Sequence, residues 1–294
     1  MAKFTQEQRL LSIATPLGPD GLLIRAISGT DTLGRGFSYD LDMVSENHTI
    51  DLNAMLGANV TVRIARGDKP PRFINGLISR FTQGATGGAF TEYSATIVPW
   101  FWFLTRVVDC RIFQGKKVPE IADALCRFHI GSDFDHARLA GTYDAWEYCV
   151  QYRESVHDFL SRIQEEEGIY SYYKHEDGKH TLVLADAPSS HDPIPEHPEI
   201  PFYPPAENLN REVEHIQSWD IEMEAQSGGF MVKDFNFKTP KDDISAKLAQ
   251  PKGHDLSEFE QFDYPAEYEE FAQGENLAKV RLQELHARHE TLTG

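Results

Sequence analysis

Long apolar runs are absent from this 294-residue sequence. No segment supplies the roughly 20 apolar residues that a membrane-spanning helix needs. The opening stretch MAKFTQEQRL carries no apolar core of the kind a secretory signal has, so synthesis in the cytosol is expected. Cysteine is scarce. Cys110, Cys126 and Cys149 are an odd, widely spaced set without a C-x-x-C, which argues against a disulfide framework and a zinc site and reads as reduced core thiols. Positive charge is also in deficit, with 28 Lys and Arg against 46 Asp and Glu for a net charge of −18. Such a field repels phosphate backbones and anionic lipid, so neither nucleic acid nor a stable membrane anchor is an expected partner. Missing too are the motifs that announce chemistry: no nucleophile elbow, H-E-x-x-H, P-loop or Gly-rich dinucleotide loop occurs. GPDGLL and GTDTLGRG are turns too irregular to cradle phosphate. No catalytic residue, cofactor-binding residue or metal ligand is assigned, and a non-enzyme is expected.

What is present is ordinary globular composition, 40% hydrophobic and 25% charged, enough for one or two cores. The acidic excess is lopsided, because residues 196–294 hold 21 acidic and 9 basic side chains. A solvated acidic face accounts for that more simply than a basic partner does.

The first 110 residues read as strands. LLIRAISG, GFSYDLDMVS and NVTVRIARG show partial period-two patterning, and the stretch from Phe73 to Trp100 gives two strands joined through Gly84 to Gly88. Short strands without intervening long helices suggest an antiparallel barrel or sandwich. WFWFLTR (100–106) is apolar on both faces, which favours core packing over an aromatic stacking platform. Residues 111–205 change character. KVPEIADALCRFHIG reads as a helix with Pro119 near its start, Ile121, Leu125 and Phe128 on one stripe, and Gly131 as the stop. His129 at its end suits the helix dipole and reads as structural. WEYCVQY places Trp146, Tyr148, Val150 and Tyr152 on one face, which reads as a half-buried strand.

QYRESVHDFLSRIQEEEGIY (151–170) is dense enough in titratable groups to suggest an active site. A hydrolase would use Glu154 and Glu167 as paired carboxylates with His157 as shuttle. The spacing argues for packing instead. Ser155 with Asp158 resembles a capping box, Val156, Phe159, Leu160 and Ile163 form one apolar stripe, and Gly168 can end the helix. Asp158 to Arg162 is an expected i,i+4 pair. Glu165, Glu166 and Glu167 stand at the negative end of the helix dipole and call for Arg or Lys from an adjoining strand or another subunit. Beyond them lies a β-hairpin, with Asp177-Gly178 suited to a type I′ turn. APSSHDPIPEHPEIPFYPP then forms a stiff crossover in which His191 and His197 are poorly aligned for a metal. In residues 206–294, EHIQSWDIEMEA and GGFMVKDFNFKTP restart the strand signal, Phe235, Phe237, Phe259 and Phe262 offer buriable area, and QGENLAKVRLQELHARHE reads as a helix on Ala278, Leu282 and Leu285.

PWFWFLTRVVDCRIFQGKKVPEIADAL, YCVQYRESVHDFLSRIQEEEGIYSYY and HTLVLADAP, in this order and spacing, resemble the N-terminal region of VgrG proteins, the trimeric spike of type VI secretion systems. The departures are small: Val156-His157 and Gln164 stand where that family usually has further acidic and apolar residues. The resemblance implies a mainly β, mixed α+β fold like the tail hub of contractile phages. Two related antiparallel barrels would occupy residues 1–110 and 206–294, around a helix, strand and hairpin insertion at 111–205, with the second barrel incomplete. It also implies a homotrimer joining a six-fold tube of Hcp-type protein to a three-fold needle. Effectors or adaptor proteins would be further partners, and the protein would pass from the cytoplasm out through the secretion apparatus. No cofactor is implied. Since the needle domains are not in the sequence, it reads as a hub fragment or a truncated form.

Overall fold

The computed structural model describes residues 4–129, 133–193, 199–204 and 215–294, and the chain divides into two compact units, Met1–His191 and Asp192–Gly294. In the first, strands β1 (Leu11–Ala14), β2 (Leu23–Thr30), β3 (Ser38–Ser45), β4 (Asn59–Arg66), β5 (Lys69–Gly87) and β6 (Phe90–Val98) build one antiparallel sheet in the order β1-β4-β5-β6-β3-β2. A short helix, α1 (Leu52–Met55), joins β3 to β4. Alternation sets the sheet's inner face: Tyr39, Leu41 and Met43 of β3 and Tyr93, Ala95 and Ile97 of β6 point to the core. The expected Gly84–Gly88 connection is mostly strand, since β5 runs to Gly87 and the chain turns at Gly88, whose φ of 61° suits glycine.

The outer strands β1 and β2 are brought together by one side chain. The buried Gln6 amide donates to the Ile13 carbonyl (3.2 Å) and accepts from the Ile13 N–H (3.0 Å) and the Ile24 N–H (3.4 Å). The described residues of this unit thus form a half-barrel sheet with a side-chain clasp, where the resemblance implied the first of two related barrels.

A 3-10 segment, Trp100–Arg106, follows, with Trp100, Phe101 and Leu104 buried as core residues. After it come β7 (Val108–Phe113), α2 (Val118–His129), β8 (Phe134–Asp135), β9 (Cys149–Ser155), α3 (Val156–Glu166), β10 (Tyr170–Glu176) and β11 (Lys179–Ala185). Strands β7 and β9 pair antiparallel, and β10, β11 and β8 make a second small sheet. One hydrophobic cluster runs from the large sheet through Phe37 and Trp100 to α2, α3 and β11, so residues on both sides of position 110 share a core.

Three expectations for this stretch change. Phe128 is 69% exposed, with the Arg111 guanidinium 4.5 Å from its ring, while Ala122 and Cys126 complete the buried side of α2 with Ile121 and Leu125. On β9, Cys149 and Gln151 are inside and Tyr148 and Tyr152 outside. The cause is a bulge: Glu154 faces Asp109 but Tyr152 faces Cys110, leaving Arg153 as the extra residue with a φ of 54°. In the hairpin loop Gly178 has positive φ and Asp177 does not, which rules out a type I′ turn.

The second unit holds β12 (Asp220–Met223), β13 (Gly229–Val232), β14 (Ala246–Ala249), β15 (Glu260–Asp263), α4 (Phe271–His286) and β16 (Glu290–Thr293). Its described strands form a sheet of three, β14-β13-β15, and a ribbon of two, β12-β16. Phe230, Val232, Ala246, Tyr268, Ala278 and Leu282 fill its core as α4 packs on the sheet. Phe235, Phe237, Phe259 and Phe262, expected inside, are exposed, because four-residue strands covered on one side by α4 offer them no second wall.

Candidate functional site

The densest group of titratable side chains surrounds α3. Ser155 caps it, accepting the Asp158 N–H at 3.0 Å as the sequence suggested. Val156, Phe159, Leu160 and Ile163 are fully buried, each stabilising by about 1.5–3 kcal/mol. That outweighs any single surface ion pair, worth up to about 1 kcal/mol.

The charged residues on the other side are engaged in structural bonds. Arg162 does not pair with Asp158; it reaches back to β9, donating to both Glu154 carboxylate oxygens (2.7 and 3.2 Å) and to the Val150 carbonyl (3.0 Å). The Arg162 hydrogen bonds hold the Glu154 carboxyl below its ordinary range. Asp158 instead meets His157 Nδ1 at 3.1 Å, and the half-buried His157 ring tilts against Phe101 at 4.9 Å. At the far end, Arg35 from the β2–β3 connection pairs with Glu165 at 3.0 Å, the adjoining cation that the glutamate run called for. The Trp146 indole N–H donates to Glu167 at 2.7 Å. Burial raises the Glu167 carboxyl, and that hydrogen bond works against it.

Glu154 and Glu167 are therefore fixed at opposite ends of α3 by different partners. A cleft of about 80 Å³ opens beside the helix, lined by Arg35, His157, Ser161, Gln164, Glu165 and Tyr170 among others. Neither Glu154 nor Glu167 lines it, so the two carboxylates do not converge on a space for substrate. In the second unit, an open groove of about 550 Å³ lies between Lys233, Phe235, Lys241, Phe262 and Tyr264. Among the described residues no three His, Cys, Asp or Glu side chains gather as a metal set. His191 stacks on Tyr170 and hydrogen-bonds its hydroxyl at 2.8 Å, while His197 lies outside the described residues. His129, expected to gain from the helix dipole, is pushed down instead, by burial first and then by Arg111. Cys126 and Cys149 are buried thiols, Cys126 pushed up to about 12 by burial. Cys110 is exposed, contrary to its reading as a core thiol.

A polar network that sequence reasoning missed joins the sheet to the hairpin. Asn75 on β5 is fully buried; its amide donates to Asn59, the Val60 carbonyl and Thr61, and its carbonyl oxygen accepts from His180 Nδ1 at 2.7 Å. The Trp100 N–H donates to His180 Nε2 at 2.8 Å, which places the proton on Nδ1. His175, opposite His180 in the hairpin register, accepts the Asn75 N–H at 3.1 Å. Burial, with a smaller contribution from His175, pushes His180 down to about 4. The signal in the sequence was the even placement of the two histidines about Asp177-Gly178.

This arrangement of one half-barrel sheet and a helix, ribbon and hairpin locked to it is scaffold geometry, and comparison with known proteins accords with it. Residues 30–294 match the family described as phage tail baseplate hub (GPD). The chain belongs to the phage tail baseplate hub family. A curated relative, the type VI secretion system spike protein VgrG1b of Pseudomonas aeruginosa, is 38% identical over 285 residues, 97% of this chain and 38% of that protein. The hub chain thus spans well under half the length of this relative. Two solved structures share the hub fold. The tail protein of Neisseria meningitidis has a TM-score of 0.65 at 17% identity, covering 96% of this chain and 78% of its own. The Escherichia coli c3393 protein, described as a type VI secretion component similar to T4 tail proteins gp27 and gp5, has a TM-score of 0.62 at 20% identity, covering 73% and 56%.

Proposed function

We propose that this chain is the hub portion of a type VI secretion spike, a structural part that joins the six-fold tube to the three-fold needle and supports effector delivery. Copies of the chain associate as a trimer. Tube protein, needle domains and effectors or adaptors are its neighbours, and it moves from the cytoplasm outward through the apparatus on firing. No helix among the described residues is long and apolar enough to cross a membrane.

The observation that carries this reading is the use made of the glutamate-rich helix. The acids on and beside it are held by Arg162, His157, Arg35 and Trp146, and its apolar side is glued to the core, in a chain that matches the hub family over residues 30–294. The hydrolase alternative loses its geometric basis, since Glu154 and Glu167 share no cleft. The test is a chimera in which this chain replaces the matching segment of a full-length spike protein, with release of tube protein into the medium as readout. Release at the parental level is expected. A folded, stable chimera that blocks release would overturn the reading, as would hydrolysis of peptidoglycan or glycosides by the chain that is lost in Glu154→Gln.

A further inference from the structure

The connection between β12 and β13 is gripped by three histidines from three separate stretches of the second unit. His254, in the loop beyond β14, accepts the Gln226 N–H on Nε2 at 3.4 Å. His286, the last residue of α4, donates from Nε2 to the Ser227 carbonyl at 3.2 Å. His289, in the turn before β16, donates from Nδ1 to the Glu224 carbonyl at 2.8 Å. Sequence spacing gives no sign of this group, since a loop, a helix end and a turn supply one member each.

Two of the three present matched rings. A carbonyl only accepts, so His289 carries its proton on Nδ1, and His254 does the same by donating from Nδ1 to the Asp255 carbonyl at 2.7 Å. Both Nε2 atoms are left with a lone pair. An imidazole whose Nδ1–H is fixed by a backbone carbonyl is the form in which histidine ligates a metal through Nε2. The competing bond from Gln226 is long, and it holds His254 Nε2 loosely. The rings are also spaced for a shared ion. With metal–nitrogen bonds of about 2.0–2.1 Å and about 1.1 Å from nitrogen to ring centre, two imidazoles on one tetrahedral ion have centres about 5.2–5.5 Å apart. Those of His254 and His289 are 5.6 Å apart, with the ring planes tilted by 35°.

We propose that His254 and His289 form a seat for a divalent cation of the zinc class, each ligating through Nε2, with water in the remaining positions. The donors and the field select the occupant. Imidazole nitrogen takes zinc and its transition-metal neighbours, whereas magnesium and calcium require oxygen ligands. Residues 196–294 hold 21 acidic and 9 basic side chains, a field that concentrates cations and repels anions. Both rings are half-buried, which leaves them within reach of an ion from solvent. Among the described residues no third His, Cys, Asp or Glu joins them, so the site is open and exchangeable and not a closed structural centre. A bound ion ties the loop after β14 to the turn after α4 and tightens their hold on the β12–β13 connection.

The experiment is calorimetric titration of the untagged, metal-stripped full chain with zinc chloride. One equivalent is expected to bind, with affinity lowered at least about tenfold in His254→Gln and in His289→Gln, and kept in His191→Gln, whose ring stacks on Tyr170 in the first unit. A second measurement needs no variant. Substoichiometric cobalt(II), a paramagnetic stand-in for zinc, is expected to broaden the ring-proton resonances of His254 and His289 before those of the other histidines. Absence of zinc binding up to millimolar concentration overturns the proposal. Parental affinity in either variant, or cobalt broadening centred elsewhere, overturns it too and leaves the two rings as a stacked pair only. The hub role is tested by release of tube protein, so failure of either reading leaves the other standing.

Discussion

The phenol ring of Tyr268 fills the space that a β-carbon at position 274 would occupy. A carbon added to Gly274 would stand 2.6 Å from the ring, whose hydroxyl lies 2.7 Å from the Ile244 carbonyl and 3.1 Å from that of Val232. The glycine sits inside α4, where alanine is ordinarily better by about 1 kcal/mol. Because the ring is pinned by its hydroxyl, Gly274→Ala is expected to destabilise the protein, by about 1–3 kcal/mol as for other overpacked cores. Denaturant unfolding followed by circular dichroism measures it. A gain in stability would mean that the ring can move aside and that the close approach is not required.

The buried His180 makes stability depend on pH in a defined direction. The unfolded imidazole takes up a proton as pH falls through its ordinary 6.5, whereas the folded one does so only near 4. Between those values the unfolded chain binds more protons, so stability that is fully present above pH 6.5 is lost progressively as pH falls. From pH 7 to pH 5 the loss from this group is about 2 kcal/mol. Glu167, with its carboxyl raised by burial, works in the opposite sense, so the informative comparison is between the parent protein and His180→Gln. The variant is expected to be less stable at pH 7 and to show a shallower decline to pH 5. Parallel curves for the two proteins would contradict the assignment.

Two arginines that both meet glutamates of the 151–170 stretch should differ in worth. Arg162 makes two bonds to Glu154 and one to a backbone carbonyl while its guanidinium lies 5.3 Å from the Phe159 ring, so Arg162→Gln should cost about 1–2 kcal/mol. The Arg35 and Glu165 side chains are both more than half exposed, and Arg35→Gln should change stability by less than about 0.5 kcal/mol. Chemical denaturation at low and moderate salt separates them, since screening erases the smaller effect first.

The helices were legible because their signals are local. Ser155 with Asp158, and the apolar spacing of Val156, Phe159, Leu160 and Ile163, specify α3 without reference to the rest of the chain. Ala278, Leu282 and Leu285 do the same for α4. Strand faces were less legible. A period-two pattern assumes an unbroken ladder, and nothing in WEYCVQYRES announces that Arg153 will be bulged out and shift Tyr152 to the outer face. Partners distant in sequence were not legible either. Asp158 is the nearest acid one turn before Arg162, yet tertiary packing brings Glu154 closer, and Asn75 meets His180 across 105 positions. The four phenylalanines of the second unit were misplaced for a related reason, since hydrophobicity signals that a side chain can be buried but not that a wall exists to bury it.

The Gln6 clasp belongs to no strand, yet its side chain supplies hydrogen bonds to both margins of the six-stranded sheet. If the residues around Gln6 detach, the Ile13 and Ile24 amides lose their acceptor at the same moment, and two margins become available for pairing with foreign strands. Guarding against misassembly thus falls to a short irregular lead-in, which makes that lead-in the first place to look when preparations of the protein clump on storage.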